Sequence, residues 1–135
     1  MRIIIDANVI VSMLIKPGKP IEVFFRDDLE IFAPKLLLTE LENNKEEIIS
    51  KSRLSKEEIE DFFKIIIQKI KIIPEQDFIK FRAKAEKICP HKKDVQYFAL
   101  SLSIQCPIWS NEKGLQQQPH IKVYATHELM RLFGT

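Results

Sequence analysis

Four acids carry the chemistry that this chain could perform: Asp6, Glu40, Asp94 and Glu112. Asp6 ends the run Arg2-Ile3-Ile4-Ile5, whose three successive β-branched residues read as a fully buried strand of a parallel sheet. A carboxylate buried there without a partner costs several kcal/mol, so it must meet a cation, a donor or water. Glu40 borders the apolar stripe of a predicted helix, about 60° around the wheel from Leu37. Asp94 opens a helix that is apolar nearly all round (Val95, Phe98, Ala99, Leu100, Leu102, Ile104), and it projects with Phe98 and Ser101. Glu112 follows a strand and starts a helical turn after Ser110 and Asn111.

Taken singly, each acid has an ordinary explanation. Asp6 could cap the next turn, Glu40 could be a solvated helix glutamate, and Asp94 and Glu112 could sit at helix N-termini against the dipole. Taken together they form a cluster. Carboxylates within a few ångströms repel, and their pKa values rise unless a cation neutralises them. Hard oxygen donors select Mg²⁺ or Mn²⁺ over thiophilic metals. Two such ions roughly 4 Å apart could activate water for an in-line attack on a phosphate.

The elements that must position these acids alternate between strand and helix. The strands are Arg2–Ile5, "EIFAP", "KIIP", "PIWS" and "IKVY". Between them the pattern predicts a helix over "PIEVFFRDD" after the "KPGKP" loop. An amphipathic helix follows over residues 35–52, with Leu37, Leu41 and Ile48 on one stripe. A helix over "SKEEIEDFFKIIIQKI" opens on the capping box of Ser55 with Glu58 and forms a helical hairpin with its predecessor. Later come helices over "EQDFIKFRAKAEKIC", "KDVQYFALSLSIQ" and "THELMRLF". This order predicts an α/β protein: a three-layer α/β/α sandwich around a central, mostly parallel sheet of four to five strands, folded as a single domain over residues 1–135. Ligands of open sheets sit beyond the carboxyl ends of the strands, at the switch point of strand order, and Asp6 and Glu112 both fall at such ends.

Bulk properties exclude other classes. A 135-residue chain with 45% hydrophobic and 30% charged residues supports a folded core. No apolar run approaches the ~18 residues of a membrane span, and the N-terminal strand carries a charge where a signal peptide would be apolar, so a cytoplasmic location is expected. Net charge +2 permits a nucleic-acid partner without arguing for one. Cys89 and Cys106 lack zinc or disulfide spacing. No GxGxxG or GxxxxGK[ST] loop is present.

In "IIIDANVIVSMLI", "PKLLLTELENN" and "KDVQYFALSLSIQCPIWSNEKGL" the chain resembles the PIN-domain family over nearly its whole length. The resemblance implies a Mg²⁺- or Mn²⁺-dependent endoribonuclease that hydrolyses RNA to a 3′-hydroxyl and a 5′-phosphate. Such domains are common as VapC-like toxins of toxin–antitoxin pairs. RNA, an antitoxin protein and a second copy in a homodimer are therefore the expected partners. The family's acids fall on Asp6, Glu40 and Asp94; Asn8, Ser110 and Asn111 match its supporting polar positions. The sequence departs from the family at Glu112, where Asp is usual, and at Gly114, where a further Asp is common. The added methylene of Glu112 displaces its carboxylate by about 1.5 Å unless the rotamer adapts, and glycine at 114 removes one outer ligand, so a second ion would be poorly held.

Other residues are weaker candidates. His91, Lys92, Lys93 and Lys113 could contact the phosphate backbone or could simply be solvated. Lys16 and Lys19 could rim an RNA groove. Trp109 reads as core, and Phe62 and Phe63 as core or subunit interface. Two rival readings remain. One is a weakly active or inactive PIN-like module that binds RNA or a partner protein. The other is a phospho-receiver, which fits poorly because Asp6 is followed by Ala7 and Asn8 rather than by a second acid.

Overall fold

The computed structural model describes residues 1–135. Its sheet has five strands, all parallel: β1 (Arg2–Ile5), β2 (Glu30–Pro34), β3 (Ile70–Ile73), β4 (Ile108–Trp109) and β5 (Val123–Tyr124), in the spatial order β3-β2-β1-β4-β5. The chain starts at the centre, runs outward through β2 and β3, and then crosses to the other side of β1 for β4 and β5. Strand order therefore reverses between β1 and β4, where Ile4 pairs with Ile108 and Ile5 with Trp109. A crevice beyond their carboxyl ends follows from that reversal.

Period-two alternation splits the sheet's side chains between two cores. Ile3, Ile5, Ile31, Ala33 and Trp109 enter one; Ile4, Phe32, Ile108 and Val123 enter the other. The first core is covered by α1 (Ala7–Ile15), α2 (Pro20–Phe24), α3 (Leu36–Asn43), α4 (Lys45–Lys51), α5 (Lys56–Lys69) and α9 (Thr126–Leu132). The second is covered by α6 (Arg82–Ile88), α7 (Val95–Ile104) and α8 (Lys113–Gln117). This is the expected α/β/α sandwich. Burying an isoleucine fully contributes about 1.5–3 kcal/mol, so the isoleucines of β1 anchor both layers at once. No helix is long and apolar enough to cross a membrane.

Three predicted helices are shorter or broken, each for a local reason. The segment at 20–28 is helical only to Phe24, because Arg26 folds onto Asp28 through two 2.8 Å hydrogen bonds in a turn. The 35–52 segment breaks at Asn44, whose side-chain amide donates to the Glu40 carbonyl at 2.7 Å and competes with the helical ladder. Its stripe of Leu37, Leu41 and Ile48 still enters the first core. The segment after Pro74 begins as two short 3₁₀ turns, Glu75–Asp77 and Ile79–Phe81, on either side of buried Phe78, and becomes α-helical only at Arg82. The Ser55–Glu58 capping box forms as expected, with both reciprocal hydrogen bonds present. Phe62 and Phe63 pack, partly buried, against the first core, and Trp109 is wholly buried.

Candidate metal centre

Asp6, Asp94 and Glu112 meet at the switch point. One carboxylate oxygen from each lies within 4.8 Å of the other two. Asp6 arrives at the end of β1, Asp94 from the 3₁₀ turn Lys92–Asp94 that feeds α7, and Glu112 from the loop after β4. Asp6 is only 4% exposed and Asp94 only 2%, while Glu112 is half-buried. Three acids brought together in this way, two of them out of water, need compensation.

Asp6 has it from two sides. Its Oδ1 accepts from the Asn8 amide at 3.3 Å, capping α1, and its Oδ2 accepts from Ser110 Oγ at 2.8 Å. Ser110 Oγ in turn accepts from the Glu112 amide at 3.2 Å, so one hydroxyl joins the ends of β1 and β4. Glu112 Oε1 accepts from Asn8 Nδ2 at 2.9 Å and from Lys93 Nζ at 2.7 Å. Asp94 differs: its Oδ2 is buried and has no hydrogen-bond partner. Buried carboxylate oxygens are rarely left so, and on an acid that belongs to such a cluster an unpaired oxygen is one that a cation would satisfy.

Electrostatics agree with the geometry. Burial, then the charges of Glu112 and Asp6, push the Asp94 carboxyl up to about 7. Asp6 is also raised, chiefly by burial, although the Ser110 and Asn8 hydrogen bonds oppose it. These are the shifts expected of carboxylates crowded together without a neutralising ion. All the donors here are hard carboxylate oxygens, so the set fits Mg²⁺ or Mn²⁺ and not a thiophilic metal.

Glu40 stands at the edge of this group. It is not among the three acids within 4.8 Å, and its Oε1 accepts instead from the buried Tyr97 hydroxyl at 2.5 Å. Burial raises the Glu40 carboxyl, and the charge of Asp6 adds to the effect, so Glu40 feels the cluster. Tyr97 was not anticipated from the sequence. It lies three residues after Asp94, so both emerge on one side of the chain within a helical turn. Phe98, expected to share the direction of Asp94, is buried in the second core, and Ser101 Oγ, expected likewise, donates to the Cys106 carbonyl at 2.6 Å.

Asn111 also turns away. Its Oδ1 accepts from the Thr126 amide at 2.8 Å, and Trp109 Nε1 donates to Thr126 Oγ1 at 2.9 Å, so this part of the loop is tied to α9 rather than to the acids. Gly114 reveals a second feature that the sequence concealed. A Cβ placed there would stand 2.7 Å from Nε2 of His91, so the imidazole fills the space where an acid at 114 would project. Lys92, Lys113, Lys16 and Lys19 are all exposed. A hollow of about 220 Å³ next to the site is lined by Val9, Ser12, Lys16, Pro20, Asn111 and Thr126, among others.

The sequence and the fold both find relatives. The sequence model of the PIN domain matches residues 4–125. No curated protein matches the chain significantly. Among solved structures, VapBC2 from Rickettsia felis bound to a promoter DNA fragment superposes with a TM-score of 0.65 at 17% identity, covering 93% of this chain and 98% of that one. PAE2754 from Pyrobaculum aerophilum gives 0.66 at 13% identity, covering 100% and 91%. DNA-bound VapBC from Salmonella typhimurium gives 0.65 at 16% identity, covering 93% and 98%. Identities this low establish likeness of fold, while the sequence match extends from β1 to the end of β5 and takes in Asp6, Glu40, Asp94 and Glu112. The chain belongs to the PIN domain family.

Proposed function

We propose that this chain is a divalent-metal-dependent endoribonuclease and that residues 1–135 act as one domain. The observation that carries this reading is the convergence of Asp6, Asp94 and Glu112, with a buried Asp94 oxygen left without a hydrogen-bond partner. Asp6 and Asp94 would hold Mg²⁺ or Mn²⁺, with Glu112 as the third ligand and Glu40 at the edge, directed by Tyr97. A divalent ion bound there supplies the charge neutralisation and Lewis acidity that phosphodiester hydrolysis requires. The protein's part is positional. Ser110 and Asn8 fix Asp6 and Glu112 relative to each other, and burial of Asp6 and Asp94 excludes the water that would screen them. Because the Rickettsia felis and Salmonella typhimurium neighbours are VapBC complexes, we place this chain as the toxin of such a pair, with a protein antitoxin as its partner.

A second reading, a domain that binds RNA or a partner but scarcely cuts it, draws on the absence of an acid at 114 and on the engagement of Glu112 by Lys93. One experiment separates the two. Wild type, Asp6→Asn and Asp94→Asn are incubated with a mixed single-stranded RNA pool in Mn²⁺, Mg²⁺ or EDTA. Metal-dependent cleavage by wild type alone supports the nuclease. Wild type that cuts no better than Asp6→Asn in either metal removes it in favour of the binding domain.

A further inference from the structure

The ammonium of Lys93 is part of the acid site. Its Nζ lies 2.7 Å from Glu112 Oε1, on the same oxygen that accepts from Asn8 at 2.9 Å. Its charge also acts on Asp6, Glu40 and Asp94, opposing the upward shift that burial, and then the neighbouring acids, impose on each. No other lysine or arginine forms an ion pair with any of these four acids. The lysine is rooted in the turn that carries Asp94, and its side chain is 59% exposed, so it can leave Glu112 without disturbing the core.

We propose that Lys93 is the resident counter-cation of the metal-free site and gives up Glu112 when a divalent ion enters, its freed ammonium then facing the phosphate backbone of the substrate. The inference rests on the divalent-ion reading above. Its physical basis is a conflict of charges. An ammonium bound to Glu112 and an ion drawing on the same carboxylate would repel each other, and the repulsion of a single by a double positive charge outweighs the attraction of a half-exposed ion pair. Lysine suits an exchange of this kind better than arginine would. Its compact, hydrated charge on a flexible stem is not locked to a carboxylate by a bidentate fork. Two observations are then reconciled. The sequence places Lys93 beside Lys92 and His91, where a phosphate contact is expected, while the structure places it on an acid.

The test uses Mn²⁺ binding by titration calorimetry and the binding of a cleavage-resistant 2′-O-methyl RNA, each for wild type, Lys93→Met and Lys93→Arg, with Asp94→Asn as control. Lys93→Met should bind Mn²⁺ roughly tenfold or more tightly than wild type, because its competitor is gone, and Lys93→Arg should not. With Mn²⁺ present, Lys93→Met should bind the RNA more weakly than wild type, with a salt slope smaller by about one. In EDTA the two should bind it alike, since the wild-type ammonium is then occupied. If wild type binds Mn²⁺ but Lys93→Met binds it equally or less well, Lys93 orients Glu112 instead, and this inference falls while the nuclease reading stands. An equal loss of RNA affinity in EDTA also overturns it. Wild type that takes up no Mn²⁺ overturns both.

Discussion

The Tyr97 hydroxyl donates to Glu40 Oε1 at 2.5 Å, so a wholly buried aromatic on α7 sets the position of the acid contributed by α3. The contact spans the crevice and fixes Glu40 at the border of the cluster, where its freedom would otherwise be that of any helix glutamate. Tyr97→Phe keeps the ring and removes the donor. It should cost about 1.5–3 kcal/mol of stability, the worth of a hydrogen bond to a charged group, and lower metal-dependent cleavage on the order of tenfold. In a double-mutant cycle with Glu40→Gln the two losses should be strongly non-additive; full additivity would detach Tyr97 from the site.

Asp94→Asn should produce opposite effects on stability and on metal binding. The substitution removes a buried charge with an unpaired oxygen, and neighbouring carboxylates can accept from the new amide. Thermal denaturation in EDTA should therefore show the variant about 1–3 kcal/mol more stable than wild type. Mn²⁺ should raise the melting temperature of wild type and leave the variant unmoved. A variant destabilised in EDTA would mean that the Asp94 charge is already compensated.

Stability against pH should reverse with metal. Without metal the Asp94 carboxyl titrates at about 7, against 3.8 for an ordinary Asp, and Asp6 and Glu40 shift the same way. The folded state thus holds protons that the unfolded chain has released. The stability contributed by this effect is complete below about pH 4 and is lost as pH rises through about 7, by about 2–4 kcal/mol for Asp94 alone. Asp28, Glu58 and Glu128, whose carboxyls are lowered by hydrogen bonds, act oppositely, but only at more acid pH. Melting curves in EDTA should fall from about pH 5 to 8, and with saturating Mn²⁺ they should rise, because the ion binds ionised carboxylates. Parallel curves in the two conditions would exclude the cluster as the binding site.

An acid placed at 114 should be accommodated at a small cost that disappears when His91 is also removed. An added Cβ would meet His91 Nε2 at 2.7 Å, and since that ring is exposed it can swing aside at modest cost. Gly114→Asp alone should lose less than about 1 kcal/mol and displace the His91 imidazole, visible as a shift of its ring protons. His91→Ala with Gly114→Asp should accept the new carboxylate without that loss and take up Mn²⁺ more tightly than either single variant. Equal affinities across the set would show that position 114 faces away from the ion.

Much of this was legible in the residues, for identifiable reasons. The Ile3–Ile5 run, the apolar wheel after Asp94 and the Ser55–Glu58 box are local patterns, and local patterns fixed the strands, the buried helix and the cap. The convergence of Asp6, Asp94 and Glu112 followed from their order relative to the strands. The sequence did not reveal relations created only by tertiary packing. Tyr97 carries no local signal of its role, although its spacing from Asp94 held the clue. Gly114 read as a missing acid, because nothing local says that His91 occupies its space. Lys93 read as solvated or bound to RNA, because its partner Glu112 comes from another loop. The break at Asn44 was hidden by a hydrophobic stripe that continues across it.

The site is also an event in time. Asp6 and Ser110, and likewise Asn8 and Glu112, bond across 104 residues, and β4 cannot dock until the chain has travelled out through β3 and back. Synthesis delivers Asp6 long before Glu112. Until the loop after β4 is in place, Asp6 lacks its Ser110 hydrogen bond and its Glu112 neighbour. The cluster therefore has no partial form, and it assembles in a single step, when β4 closes against β1.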